Sequence, residues 1–371
     1  MGVCGNADAP ILMFIRRITL RHYRNFQNLD IELPKGIILL KGGNAQGKSN
    51  FLEALHFLSS FKSPKAKEDA DLITKGSKRA YIRGEVAREG RIFVIESYIS
   101  EEGKIVKVDY KFRKVGEAMG KCVTILYRDE DKEIIIGEPS ARRDFLDEEL
   151  SLIFPRYRDA LSSFRKVLAQ RNALLKTEVS SQELEPWNQE FAQLSSQLIS
   201  IRERFLADIL PYFQRVHSAL TEGEEKPYLE YVRTTGESVE EILDDLKRYE
   251  EEEREKGMSL VGPQRDDVLI RIDSMDARYF SSLGQVRTLA LSLRLAQLFY
   301  LKNLLGEYPV FLLDDLSSDL EERRRRKIGE ILKGVEQVFI ATTQRELFPF
   351  RVEREIAIYK GSVIENRRGN Y

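Results

Sequence analysis

Eight consecutive residues, Gly42-Gly43-Asn44-Ala45-Gln46-Gly47-Lys48-Ser49, follow the pattern G-x-x-x-x-G-K-[ST]. The glycines of such a segment let the backbone turn tightly and point N–H groups at phosphate oxygens. The lysine neutralises the β- and γ-phosphates, and the serine hydroxyl is a Mg2+ ligand. Four specified positions meet by chance in a chain of this length on the order of one time in a hundred. Context lowers that figure. The apolar run Ile37–Leu40 precedes the segment, and a helix over 48–61 follows it, with Phe51, Leu52, Leu55 and Leu58 on one side and its positive end toward the same phosphates. A second apolar run, Val310–Leu313, ends in Asp314-Asp315. Such a strand carries carboxylates to the mouth of a parallel sheet, where Asp314 would hold the Mg2+ shell and Asp315 would orient or deprotonate an attacking water. ATP with Mg2+ is the expected ligand, and Lys48, Asp314 and Asp315 are the expected catalytic set.

A third group, Ser281-Ser282-Leu283-Gly284-Gln285, opens a helix expected over about 285–304. A serine hydroxyl, a glycine N–H and a helix N-terminus make an anion site, although the same residues also cap a helix with no ligand at all. The pattern x-S-x-G-Q, 25 residues before the carboxylate strand, resembles the signature motif of ABC-type ATPases. That resemblance implies that Ser282, Gly284 and Gln285 complete the nucleotide site of a second copy, so that two ATP molecules are sandwiched in an ATP-gated homodimer. Ser318-Asp319-Leu320-Glu321 stands at the place of the D-loop in those proteins, with Glu321 where Asp is usual.

The elements that must position these groups fall into three stretches. Residues 1–12 are Gly/Ala/Pro-rich and read as a loose extension. Residues 13–135 alternate like strands around the phosphate loop and continue through a β-rich region over 79–127. From Pro139 the pattern turns helical, giving an inserted compact helical lobe over 136–257; β/α character returns over 258–371. The clearest helix is 187–209, where Trp187, Phe191, Leu194, Leu198, Ile201 and Phe205 form a stripe read as lobe core. Pro186 is expected to start it and Pro211 to limit it. The fold class is therefore α/β: an ABC-type P-loop ATPase head, a mixed sheet with helices, built from both chain ends.

Composition narrows the function. The chain of 371 residues holds 59 Lys plus Arg against 60 Asp plus Glu, a net charge of −1, with 42% apolar and 32% charged residues. This excludes a polycationic nucleic-acid coat and an acidic disordered chain, so any nucleic-acid contact is a local patch. Cys4 and Cys122 form no CxxC pair, which argues against a disulfide framework or thiolate zinc site and suits a reducing cytoplasm. No apolar run approaches membrane-spanning length, and the N-terminus does not read as a secretory signal. Transporter ATPases carry a His after the last core strand; this chain has none beyond His217. SMC proteins insert coiled-coil arms far longer than the insert here, which Pro139, Pro155, Pro186, Pro211 and Pro227 interrupt.

At this point the resemblance becomes specific. LRHYRNFQNLDIEL, GGNAQGKSNFLEAL, GEPSARRDFLDEEL, FRKVLAQRNALLK, PWNQEFAQL, GPQRDDVLI, FSSLGQVRTLALSLRLAQ and FLLDDLSSDLE resemble the RecF family over about residues 13–365. The departures are Ala45 where Gly is common, Gln264 where His is usual, and Glu321; Asp315 fits this family better than a transporter. The resemblance implies ATP-dependent dimerisation, binding of double-stranded and gapped DNA, and slow DNA-stimulated hydrolysis. It also implies assistance to RecR and RecO in loading RecA, with roles in replication restart and the SOS response. Another DNA-processing ATPase head, SMC-like or nuclease-associated, is the alternative, but only about 55 residues follow Asp315, too few for a nuclease domain. Arg24 and Asn25 are expected either near the nucleotide or in plain packing. Arg142 and Arg143 read equally as DNA contacts or as an internal ion-pair network. Arg165 and Arg171 join a further basic cluster, and Arg323 through Lys327 read as a DNA patch or as a solvated helix face.

Overall fold

The computed structural model describes residues 12–177, 180–314, 322–343 and 350–364. Two units emerge. Among the described residues, one comprises 12–130, 219–222 and 291–364, the other 131–218 and 223–290.

In the first unit, β1 (Phe14–Tyr23), β2 (Phe26–Glu32), β3 (Gly36–Lys41), α1 (Lys48–Ser60), β4 (Arg79–Arg88), β5 (Arg91–Ser100), β6 (Gly103–Val108), β7 (Lys111–Arg113), α2 (Val115–Ala118) and β8 (Thr124–Tyr127) follow in order. The chain then passes through the second unit: α3 (Lys132–Ile136), α4 (Pro139–Ile153), α5 (Pro155–Leu174), α6 (Ser181–Thr221, of which 219–221 belong to the first unit), β9 (Pro227–Val232), α7 (Val239–Lys256), β10 (Asp267–Ile272), β11 (Met275–Asp276), α8 (Ala277–Phe280) and α9 (Leu283–Leu305), whose residues from 291 on belong to the first unit. It closes the first unit with β12 (Val310–Asp314), α10 (Glu322–Leu332), β13 (Gln337–Thr342), β14 (Arg354–Tyr359) and β15 (Ser362–Ile364).

Among the described residues, two six-stranded sheets make the first unit. One, ordered β2-β1-β4-β5-β6-β7, is antiparallel; the other runs β15-β14-β3-β13-β12-β8 and is parallel except for β15. The central strands β12 and β13 are buried at every residue, as apolar strands covered on both faces must be. Helix α1 packs against β12, β8 and β13 of the parallel sheet and against β4 of the other. Gly84 permits this approach, because a side chain there would run into Leu58. Gln337, fully buried, joins the sheets. Its amide accepts from the Ile15 N–H at 2.8 Å and donates to the Ile15 carbonyl at 2.9 Å, where the β1–β4 register shifts. A buried backbone group left unpaired would cost about 1–3 kcal/mol, so the amide here replaces ladder bonds.

The second unit differs from the sequence expectation in three ways. Helix α6 runs 41 residues through both Pro186 and Pro211. Its buried face, Leu184, Asn188, Phe191, Ser195, Leu198, Arg202, Phe205 and Ile209, is offset from the expected stripe, leaving Trp187, Leu194 and Ile201 half-buried. Packing along that face maintains the helix past the two missing N–H groups. Second, the insert is not purely helical: β9 pairs with β10, and β10 with β11. Third, that pairing draws 258–290 into the second unit, so its limit is 290 rather than 257.

Three buried arginines organise this unit. Arg171 donates to Glu253 at 2.6 Å, Asn188 at 2.7 Å and Ser259 at 2.7 Å. Arg202 reaches Asp147 at 2.7 Å, Tyr157 at 2.8 Å and the Pro263 carbonyl at 2.7 Å. Arg142 grips Asp267 with two bonds, at 2.7 and 3.1 Å. The adjacent carboxylates Asp266 and Asp267 diverge in consequence. Burial raises the Asp266 carboxyl, whereas at Asp267 burial is outweighed by Arg142 and the carboxyl lies below its ordinary value.

Removing one member of a buried pair strands the other charge. Arg171→Ala is expected to destabilise the protein by about 3–5 kcal/mol, read as a lower denaturant midpoint. Arg165→Ala, which removes an exposed partner of Asp147, should cost less than about 1 kcal/mol. Equal losses would contradict this placement.

Candidate nucleotide site

The parallel sheet brings the phosphate loop and the carboxylate strand to one edge. Leu40 pairs with Ala341, and Ala341 with Asp314, so the ends of β3 and β12 stand level on either side of β13. Ligands of open α/β sheets bind beyond such carboxyl ends. Here the Ser49 hydroxyl donates to Asp314 Oδ1 at 2.7 Å, joining residues 265 positions apart. A hydroxyl and a carboxylate are hard oxygen donors, a set that fits Mg2+. Asp315 lies outside the described residues, as do Ser318, Asp319, Leu320 and Glu321.

The loop itself is built for close backbone approach. Gly47 has φ +118° and Gly42 φ +157°. A side chain at Gly47 would strike Asn25, and one at Gly42 would strike the Ile358 carbonyl. Ala45 also takes a left-handed conformation, φ +60°, which accounts for the usual glycine there. Gly47 caps α1 with no side-chain bond, and the first turn of α1 has no acidic residue, so the N-terminal N–H groups and positive dipole end suit an anion. Lys48 Nζ donates to the carbonyls of Gly42 at 2.7 Å and Gly43 at 2.9 Å.

Gln46, expected to face a nucleotide, anchors the loop. Its side chain accepts from the Lys360 N–H at 2.8 Å, and its carbonyl accepts from Gly361 at 3.0 Å and from Asn25 Nδ2 at 2.9 Å. Asn25 in turn accepts from Asn50 at 2.9 Å. Of the two readings of Arg24 and Asn25, the structure places Asn25 directly against the loop and Arg24 against α1. Arg24 pairs with Glu53 at 2.7 and 2.9 Å, and Ser63 donates to the same carboxylate. Burial pushes the Glu53 carboxyl up, but Arg24 and Ser63 outweigh it and hold it below the ordinary range.

Lys65 is the residue that motif reading missed. Its ammonium stands 3.2 Å from Asp314 Oδ2, on the oxygen that Ser49 leaves open. The only sequence signal was a basic run, Lys62, Lys65 and Lys67, around Ser63-Pro64.

The signature residues belong to the second unit. Ser282 and Gln285 cap α9 reciprocally: the Ser282 N–H donates to Gln285 Oε1 at 2.8 Å, and the Gln285 N–H to Ser282 Oγ at 3.3 Å. Gln285 also donates to Glu225 at 2.8 Å, whose other oxygen lies 2.9 Å from His217. Ser282 and Gly284 are exposed.

The expected DNA contacts divide. Arg142 and Arg171 are buried and committed to Asp267 and Glu253, so neither presents its guanidinium to a nucleic acid. Arg143 is half-buried and donates to the Asp266 carbonyl at 2.9 Å. Arg165 is exposed beside Asp147. In the 323–327 cluster Arg323, Arg326 and Lys327 each face a glutamate, Glu222, Glu322 and Glu330 respectively, which favours the solvated-face reading.

Parallel sheet, phosphate loop and signature-capped helix together define a P-loop ATPase head of the kind shared by RecF, RecN and SMC proteins. The family model for the RecF/RecN/SMC N-terminal domain matches residues 14–363. The chain is 34% identical to a DNA replication and repair protein RecF of Streptococcus equi subsp. zooepidemicus, over 94% of this chain and 96% of that protein. It is 31% identical to RecF of Bacillus subtilis, over 94% and 98%. Among solved structures, one titled as the recombination mediator protein RecF-ATP in the RecFOR pathway aligns with TM-score 0.90 and 31% identity, covering 97% of this chain and 99% of that one. The Smc head of Pyrococcus furiosus shares the fold alone, with TM-score 0.56 and 16% identity. The chain belongs to the RecF family.

The Arg24–Glu53 pair carries a pH signature. A carboxyl held below its unfolded value of about 4.3 stabilises the fold fully above that pH, and the contribution is lost as pH falls through the lower folded value. Glu53→Gln is therefore expected to cost roughly 2 kcal/mol near neutral pH and to flatten the acid limb of a stability–pH curve. A variant with an unchanged acid limb would show that Glu53 does not contribute.

Proposed function

We propose that this protein is an ATP-switched DNA-binding protein of recombinational gap repair. The observation that carries this is the 2.7 Å bond between Ser49 and Asp314 beneath an α1 N-terminus that no side chain caps. Gly42, Gly43, Asn44, Ala45, Gly47 and Lys48 would receive the ATP phosphates, and Ser49 and Asp314 the Mg2+. When bound, the ion supplies charge neutralisation at the β- and γ-phosphates. Asp315 orients the attacking water, and hydrolysis acts as a slow, DNA-stimulated switch.

Ser282, Gly284 and Gln285 serve the site of a second copy, so ATP gates a homodimer that clamps double-stranded or gapped DNA. The exposed position of Ser282 and Gly284 on a capped helix supports this reading, since a residue that serves another protomer must stay accessible. The chain's similarity to RecF proteins of DNA replication and repair supports a place in those processes. A solved relative of the RecFOR pathway supports partnership with RecR and RecO; loading of RecA, in the cytoplasm, at replication restart and in the SOS response, is what the family resemblance implies. No described helix is long and apolar enough to cross a membrane. With a net charge of −1, one protomer holds DNA weakly, and dimerisation assembles two modest basic patches into one surface.

Molar mass in solution tests this. Wild type is expected to dimerise with ATP and not with ADP. Ser282→Arg should still bind ATP but remain monomeric; a variant that dimerises and hydrolyses normally would refute the shared site. In the ATP state, DNA affinity should fall steeply with salt, and tight binding by the ATP-free monomer would count against the clamp.

A further inference from the structure

Asp314 ends a strand buried at every position, and its side chain is only 9% exposed. A carboxylate so placed needs compensation on both oxygens. Ser49 supplies a hydrogen bond to one and Lys65 a full positive charge to the other. The lysine is held there by its backbone. Ser63 Oγ accepts from the N–H groups of Lys65 at 2.9 Å and Ala66 at 2.8 Å, while donating to Glu53. Arg24 grips Glu53 and also closes the far end of the segment, donating its guanidinium to the Asp71 carbonyl at 2.8 Å and its N–H to the Leu72 carbonyl at 2.7 Å. Arg24, Glu53 and Ser63 thus fix the segment, and the Lys65 side chain, about one-third exposed, is the part left to move.

We propose that Lys65 is a built-in competitor of the divalent cation at this site, holding Asp314 when no metal is present and leaving it when the metal arrives. The inference rests on reading Ser49 and Asp314 as the metal-binding pair. An ammonium and a divalent cation cannot share one carboxylate without mutual repulsion, so the metal must displace the lysine. The displaced charge stays tethered at the same sheet edge, where it favours the arrival of an anion. Metal alone is therefore disfavoured, whereas metal together with a phosphate-bearing ligand is accepted. Lys65 is a positioning residue in this scheme and couples the two occupants.

The test titrates Mn2+ into nucleotide-free protein and reads free Mn2+ by electron paramagnetic resonance. Lys65→Ala is expected to tighten Mn2+ binding roughly three- to tenfold, the range commanded by a half-buried ion pair. Lys65→Arg should stay near wild type. Lys62→Ala removes the same charge from the same segment without touching Asp314 and should leave the midpoint in place. An unchanged or weaker midpoint in Lys65→Ala, or an equal shift in Lys62→Ala, overturns the competition. Absence of binding in both wild type and Lys65→Ala also overturns it. Fluorescent ATP binding by wild type, measured in parallel with Mg2+, reports separately on the nucleotide-site reading: its failure would sink that reading, while the Mn2+ comparison still decides the role of Lys65.

Discussion

A carboxylate at the end of a buried strand is the constraint on which the first unit turns. Asp314 can sit there only because the loop following β3 returns Ser49 to it and the segment following α1 returns Lys65. Both returns depend on α1 lying between the two sheets, and hence on Gly84 making room for Leu58. The loop glycines, the seating of the helix and the joining amide of Gln337 serve a single arrangement of polar groups in an apolar setting. Oppositely charged groups in such surroundings interact far more strongly than in water, so each partner of Asp314 matters out of proportion to its size.

The second unit solves a different problem with similar means. Its motif segments GEPSARRD, RKVLAQRN and GPQRDD supply Arg142, Arg171 and Asp267 to the pairs Arg142–Asp267 and Arg171–Glu253, and the Pro263 carbonyl accepts from Arg202, which pairs with Asp147. Replacing buried ion pairs with apolar residues often stabilises a protein, so such pairs are weak evidence of stability gained. Their geometry here instead specifies one arrangement: each arginine reaches residues on separate elements, so a slip of any helix would break several bonds together.

Legibility in the sequence followed the physics of the signal. The phosphate loop, β3, α1, β12, β13 and α9 were readable because glycine pattern, apolar runs and cap residues agreed. Strand β9 was not, since of Pro227–Val232 only Pro227 is buried and the alternation is faint. Pro186 and Pro211 misled as helix limits because tertiary packing along α6 overrides a local breaker. Arginine runs proved ambiguous in kind: composition cannot tell a solvated cation from one whose carboxylate partner lies a hundred residues away. Lys65 belongs to the same class, visible only once folding sets it beside Asp314.

Cys122 lies fully buried in the first unit, and burial pushes its thiol up to about 12. Thiol chemistry proceeds through the thiolate, so this sulfur is nearly inert toward alkylating and oxidising agents while the unit stays folded. The practical result is that, of the two cysteines in the chain, Cys122 adds almost nothing to the background of site-directed labelling. A cysteine placed on an exposed face can be tagged without first removing Cys122, and slow labelling of Cys122 itself becomes a clock for opening of the core around it.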